Sequence, residues 1–227
     1  LSVIYVIFTE SYAASAGPAL VRPDLADEAV RLARILHDLL PAQREVAGLL
    51  ALMLLVDARR AARTDEAGDL VLLEDQDRKL WKRDFIAEGL SLLDKAMRHR
   101  APGPYQVQAA IAALHARADE ATDTDWAQIE LLYRSLEQLT PSPVITLNRA
   151  VAVHKVSGPA AALDLIEPLA SQLSSYFYFH GVRGALLMQL GRAADARTAF
   201  DRAIALANTA AEAAHIRAQL DKLQNLT

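Results

Sequence analysis

The sequence predicts an all-α fold, a right-handed α-α superhelix of about five antiparallel helix pairs followed by a C-terminal capping helix. Three observations predict it. The chain is 52% apolar, with only 9 glycines and 9 prolines in 227 residues, and its apolar positions recur in helical rhythm. A pattern of small and large packing residues returns at intervals of about thirty-four residues. Composition never shifts along the chain, so residues 1–227 read as a single domain.

Each expected element has its own signal. The opening "LSVIYVIFTESYAASA" reads as a buried helix over 1–15; it lacks the basic start of a signal peptide, and Glu10 interrupts its apolar run. Ala29, Ala33, Leu36 and Pro41 give the first small-to-large series, in a helix over 24–40. The run "VAGLLALMLLV", between Glu45 and Asp57, belongs to a helix over 44–60. At about 1.5 Å per residue it is too short to cross a hydrocarbon layer of about 30 Å. Then "RAARTDEAGDLVLLED" breaks the rhythm. Asp65-Glu66-Ala67-Gly68 is a turn signal and Leu70 to Leu73 a short β-type run, so a small hairpin is expected within 60–75. Asp75 or Asp77 would cap the next helix, over 76–99, which carries Gly89, Leu93 and Ala96.

Helices over 103–118 and 124–140 follow, the second with Ile129, Tyr133, Leu136 and Pro141. Ser142-Pro143 marks a helix start, a side-chain acceptor before a residue with no donor to satisfy. "VSGPAAALDLI" turns 143–157 into 159–173, with Pro159 opening the second helix. The clearest unit is "HGVRGALLMQLGRAADARTAFDRAIALA", covering helices over 176–190 and 193–207. Its Gly184, Leu187, Gly191, Ala196, Phe200, Ala203 and Leu206 fit the tetratricopeptide (TPR) pattern. One repeat earlier, Ala150, Ala162 and Ile166 stand for Gly184, Ala196 and Phe200. Small residues let paired helices approach, and large ones fill the space against the next pair. Thr209 with Glu212 forms a capping box for a last helix over 209–225, apolar along Ala213, Ile216, Leu220 and Leu223.

A net charge of −4 and a pI near 5.9 do not provide the clustered basic surface that holds nucleic acid. The absence of cysteine excludes disulfides, thiolate nucleophiles and cysteine metal sites, and fits a reducing, cytoplasmic setting. The six histidines have no metal-ligand spacing; phosphate-cradling glycine motifs and a nucleophile elbow are also missing. No cofactor, metal, small-molecule substrate or catalytic residue is expected. Tyr176-Phe177-Tyr178-Phe179 reads as packing between repeats.

Two surfaces are candidates for binding. The first surrounds "LEDQDRKLW": Arg59, Arg60 and Arg63 lie near Asp75, Gln76, Asp77, Arg78 and Trp81. It reads either as a mixed-charge docking surface with an aromatic anchor or as a structural clasp. The second is the concave side expected of a TPR array, with Gln106, Gln108, His115, Asn148, Arg149 and His154. Asn148 could satisfy a bound backbone amide and Arg149 a carboxylate; these polar groups could equally link neighbouring helices.

The segments "VIFTESYAAS", "LLEDQDRKLW", "YQVQAAIAALHA", "DWAQIELLY" and "PSPVITLNRAVAV" together resemble one family, over nearly the whole chain. It is the TPR-bearing C-terminal extension of bacterial extracytoplasmic-function (ECF) RNA polymerase sigma factors. Where that family usually reads Asn-Glu-Gly-Tyr, this chain has Thr9-Glu10-Ser11-Tyr12, so no role of that Asn or Gly carries over. The resemblance implies a non-catalytic regulatory module that modulates transcription initiation. Its partners would be its own sigma regions, the RNA polymerase core or a signalling protein, with no direct nucleic-acid or membrane binding. Sigma regions 2 and 4 would precede Leu1, the chain being a fragment. The alternative is a free-standing TPR adaptor that grips a peptide in its concave groove.

Overall fold

The computed structural model describes residues 1–11, 22–66, 68, 70–98 and 101–224. Among them it contains ten α-helices and no strand longer than a single bridge residue. The helices are α1 (Ser2–Glu10), α2 (Pro23–Leu39), α3 (Arg44–Asp57), α4 (Arg83–Ala96) and α5 (Pro104–Arg117). They continue as α6 (Trp126–Leu139), α7 (Pro143–Ile166), α8 (Phe177–Gln189), α9 (Ala193–Leu206) and α10 (Ala210–Gln224). None of these is long and apolar enough to cross a membrane. The expected all-α class is therefore what the chain adopts. The last residues of the expected helix over 1–15, together with Tyr12, Ala67, His99 and position 225, lie outside the described residues.

The helices group into two compact units: Leu1–Ala67 with Val71–Asp125, and Trp126–Thr227 with Gly68–Leu70. In the first, α3 is the central rod. It is apolar all round, and every residue from Val46 to Leu55 is buried, as a helix without a wet side must be. α2, α4 and α5 pack around it, and α1 packs on α2. Phe8, Ala29, Ala33, Leu49, Leu50, Met53 and Leu54 close one part of the core. Ala51, Leu55, Trp81, Ile86, Leu93, Ala109 and Ala113 close the other. Burial of each large aliphatic side chain contributes about 1.5–3 kcal/mol.

Two expectations for this unit are corrected. The helix expected over 76–99 begins at Arg83 and ends at Ala96. Gln76, Asp77, Trp81 and Lys82 take extended backbone angles around a 3₁₀ turn at Arg78–Leu80, so the acidic residues cannot cap α4. Asp77 caps that turn instead, accepting from the Lys79 amide at 2.9 Å. Among the described residues, the expected hairpin within 60–75 reduces to single bridge residues at Thr64 and Leu70 and one Val71 N–H bond to the Arg63 carbonyl at 2.9 Å. Short 3₁₀ turns at Arg60–Ala62 and Leu73–Asp75 occupy its flanks.

In the second unit α6 packs on α7, α7 on α8, α8 on α9, and α9 on α10. α7 bends at Gly158, whose φ of 85° lies in the left-handed region that favours glycine. Its limbs, 143–157 and 159–166, put Leu147, Ala150, Ala162 and Ile166 into one core with Ala196, Phe200 and Ala203. The second limb stops at Ile166, short of the expected 173, where Pro168 removes a helical donor and a 3₁₀ turn follows. Ser142 caps α7, accepting from the Val144 amide at 3.3 Å. The capping box of α10 is present in both directions, Thr209 and Glu212 each accepting the other's backbone amide at 3.2 Å.

Candidate functional site

The segment around "LEDQDRKLW" is built from the end of α3 outward. Asp57 is fully buried; Arg60 Nε donates to its Oδ1 at 2.6 Å, and Lys82 Nζ approaches Oδ2 at 3.4 Å. Arg60 also reaches Asp27 at 2.7 Å, tying α2 to this corner. Burial works against the Arg60 cation, but hydrogen bonds to Asp27 and Asp57 outweigh it and raise its pKa. The Lys82 amide donates to the Ala58 carbonyl at 2.8 Å, which fixes the segment against the end of α3.

Arg78 makes the second attachment. One terminal nitrogen donates to the carbonyls of His115 at 2.7 Å and Ala118 at 2.9 Å, at the C-terminal end of α5. Those carbonyls have no helical partner there, and a cation suits the negative end of the helix dipole. The same guanidinium stacks 4.5 Å above the Trp81 ring. Trp81 is only 4% exposed, and Gln76 is buried with its Nε2 donating to the Val71 carbonyl at 3.3 Å.

These contacts are the ones the clasp reading expects: Arg60 and Arg78, the latter stacked on Trp81, tie the segment to α2, α3 and α5, and Gln76 braces the loop on itself. Asp75 and Asp77 are exposed, and Arg59 and Arg63 half-buried, around its edge.

The concave-face residues divide between the units. Gln106 is 1% exposed: its Oε1 accepts from the Gly103 amide at 3.1 Å and its Nε2 donates to the Ala96 carbonyl at 2.9 Å. It links α4 to α5 and presents nothing to a partner, which corrects its assignment to an open face. Beside it, Glu45 of α3 accepts the amides of Tyr105 and Gln106, each at 3.1 Å, and caps α5 from a neighbouring helix. Gln108 accepts from the Tyr5 hydroxyl at 3.1 Å and donates to the Pro104 carbonyl at 3.3 Å, another internal bridge. His115 is half-buried; burial first, then the nearby Arg59 and Arg78 cations, lower its pKa to about 4.

The remaining three lie on α7 in the second unit. Asn148 is exposed and His154 half-buried. Arg149 donates from Nε to Glu130 at 2.9 Å and from a terminal nitrogen to Glu137 at 2.7 Å, so two carboxylates of α6 already hold it. Arg134, one turn after Glu130, donates its Nε to the same Glu130 oxygen at 2.6 Å. Burial alone would raise the Glu130 pKa, but the bonds from Arg134 and Arg149 outweigh it and hold the carboxyl below its usual range.

This network floors an open groove of about 200 Å³ between α6 and α7. Glu130, Arg134 and Arg149 form its polar wall; Val153, Val156, Ser157, Ala161 and Leu165, from both limbs of α7, complete it. The bend at Gly158 is what brings the two limbs to the same groove. Sequence reading found Arg149 but missed Glu130, Arg134 and Glu137. Their signal was faint: an i, i+4 Glu–Arg pair on a helix is usually a solvated surface pair.

Residues 1–97 match the model of a family of unknown function, DUF6596. Over 222 residues the chain is 63% identical to an uncharacterized protein of Rhizobium meliloti (strain 1021). That match takes in 98% of this chain and 52% of the relative, so the chain spans about half the length of the curated relative it matches. No solved structure matches it.

Proposed function

We propose that the chain is a non-catalytic protein-interaction region of an ECF-type RNA polymerase sigma factor. In this reading it modulates transcription initiation through contacts with sigma regions, polymerase core or a signalling partner in the cytoplasm. One observation carries the reading: the motifs that resemble the sigma-factor extension supply the joints of the helical scaffold. "LLEDQDRKLW" makes the clasp through Arg78 and Trp81. "YQVQAAIAALHA" places Gln106 between α4 and α5. "PSPVITLNRAVAV" caps α7 and carries Arg149 to the groove. A scaffold of this kind offers helix faces and a shallow groove to another macromolecule.

The test is reconstitution of the full-length protein with RNA polymerase core, compared with a version lacking this region. The reading expects altered run-off transcription from the cognate promoter and retention of core enzyme or sigma regions by the isolated chain. It also expects no sequence-specific promoter shift by the isolated chain. Unchanged transcription together with no retention would overturn it. A free-standing peptide-binding adaptor, the alternative, predicts binding in the α6–α7 groove and no effect on transcription.

A further inference from the structure

We propose that the α6–α7 groove docks an extended acidic segment of a partner protein, with an Asp or Glu side chain taken by Arg134 and an aliphatic neighbour laid against Val153, Val156 and Leu165. This rests on the protein-interaction reading above and names the chemistry of the partner segment.

The charge arrangement selects an acid. The carboxylates of the network lie inside, Glu130 with 10% of its side chain exposed and Glu137 with 20%. Arg149, at 19%, sits between them and is bonded to both. Arg134 is the outermost member, 58% exposed, and is anchored through Nε alone. Its two terminal amino groups therefore face solvent on a guanidinium whose position is already fixed by Glu130. A planar fork held in that way is preorganised for a carboxylate, since little side-chain freedom remains to be lost.

The neighbouring surface adds the apolar half. Val156 is 52% exposed at the groove, and Val153 and Leu165 line it. At about 200 Å³ the groove falls below the ~300–1,000 Å³ of pockets that enclose small-molecule ligands. It is open, and its size suits one or two side chains of a segment lying across the helices.

The experiment uses fluorescence anisotropy with the 227-residue chain and three labelled peptides with Gly-Ser flanks, centred on Val-Leu-Glu-Val, Val-Leu-Gln-Val and Val-Leu-Lys-Val. The Glu peptide is expected to bind at least about tenfold more tightly than the Gln peptide, as a charge-assisted contact requires. Added salt should erode that preference. Arg134→Gln should abolish the preference, and Val156→Asp, at an exposed site, should weaken the Glu peptide most. Circular dichroism melts confirm that both variants fold. Equal binding of the Glu and Gln peptides, a preference that survives Arg134→Gln, or no saturable binding of the Glu peptide would overturn the proposal. If Arg134→Gln still retains core enzyme or sigma regions in the reconstitution above, this groove assignment fails while the broader reading stands.

Discussion

Protonation of His115 should weaken the first unit in mild acid, and the geometry sets the size of the effect. The ring sits half-buried near the end of α5, with Arg59 and Arg78 close by, and its pKa falls to about 4 from an unfolded value of about 6.5. The folded state therefore binds its proton later than the unfolded state as pH falls. Above about pH 6.5 both states are neutral there and no stability is lost. Between about 6.5 and about 4 the unfolded chain alone takes up the proton, and stability declines. At about pH 5 the linkage amounts to about 2 kcal/mol.

Urea unfolding at about pH 7.5 and about pH 5 measures this, with Trp81 fluorescence reporting the first unit in a Trp126→Phe background. Carboxylates titrating over the same range affect the parent and His115→Gln alike, so the difference between their pH responses isolates the histidine. The parent should lose about 2 kcal/mol more than His115→Gln on acidification. Matching losses within about 0.5 kcal/mol would show that the ring is not held neutral by burial and the two arginines.

Three further perturbations test the packing. Arg78→Ala should cost about 2–3 kcal/mol in urea unfolding, because two carbonyls at the end of α5 lose a charged donor. Arg78→Lys should recover less than half of that, since an ammonium cannot lay a planar cation on the Trp81 ring while one of its nitrogens donates to both carbonyls; full recovery would refute the clasp geometry. Gly184→Ala would put a Cβ 2.5 Å from two atoms of the Phe200 ring. It should lower stability by about 1–3 kcal/mol, and a parent-like thermal midpoint would show that α8 and α9 are not so closely apposed. Thr209→Ala removes half of the α10 capping box. Hydrogen exchange should show the first turn of that helix opening about fivefold to tenfold more readily, from a loss of about 1 kcal/mol; unchanged protection would mean that the cap carries no weight.

The features legible in the sequence are those set by neighbours within a turn or two. Apolar spacing located the helices, because a helical stripe needs residues three and four apart on one face. Ser142, Thr209 and Glu212 marked helix starts correctly because capping is a local exchange between a side chain and amides two or three residues on. The spacing of Gly184 and Phe200 disclosed a close helix contact, and the uninterrupted apolar run of α3 disclosed a buried rod.

What only the tertiary structure decided was the fate of the polar groups. Arg78 finds its acceptors 37 and 40 residues away, and Gln106 disappears beneath the end of α4, which no local pattern could signal. The residues 76–82 could have continued a helix by their composition; their attachments to Ala58, His115 and Ala118 hold them extended around a single tight turn. Arg134 looks like an ordinary surface partner of Glu130 until Arg149, 19 residues on from that acid, fills the interior side of the network. Helical rhythm is encoded by short-range sterics and solvent exclusion. Whether a given charge braces the fold or meets another molecule depends on which carbonyl or carboxylate the folded chain brings beside it.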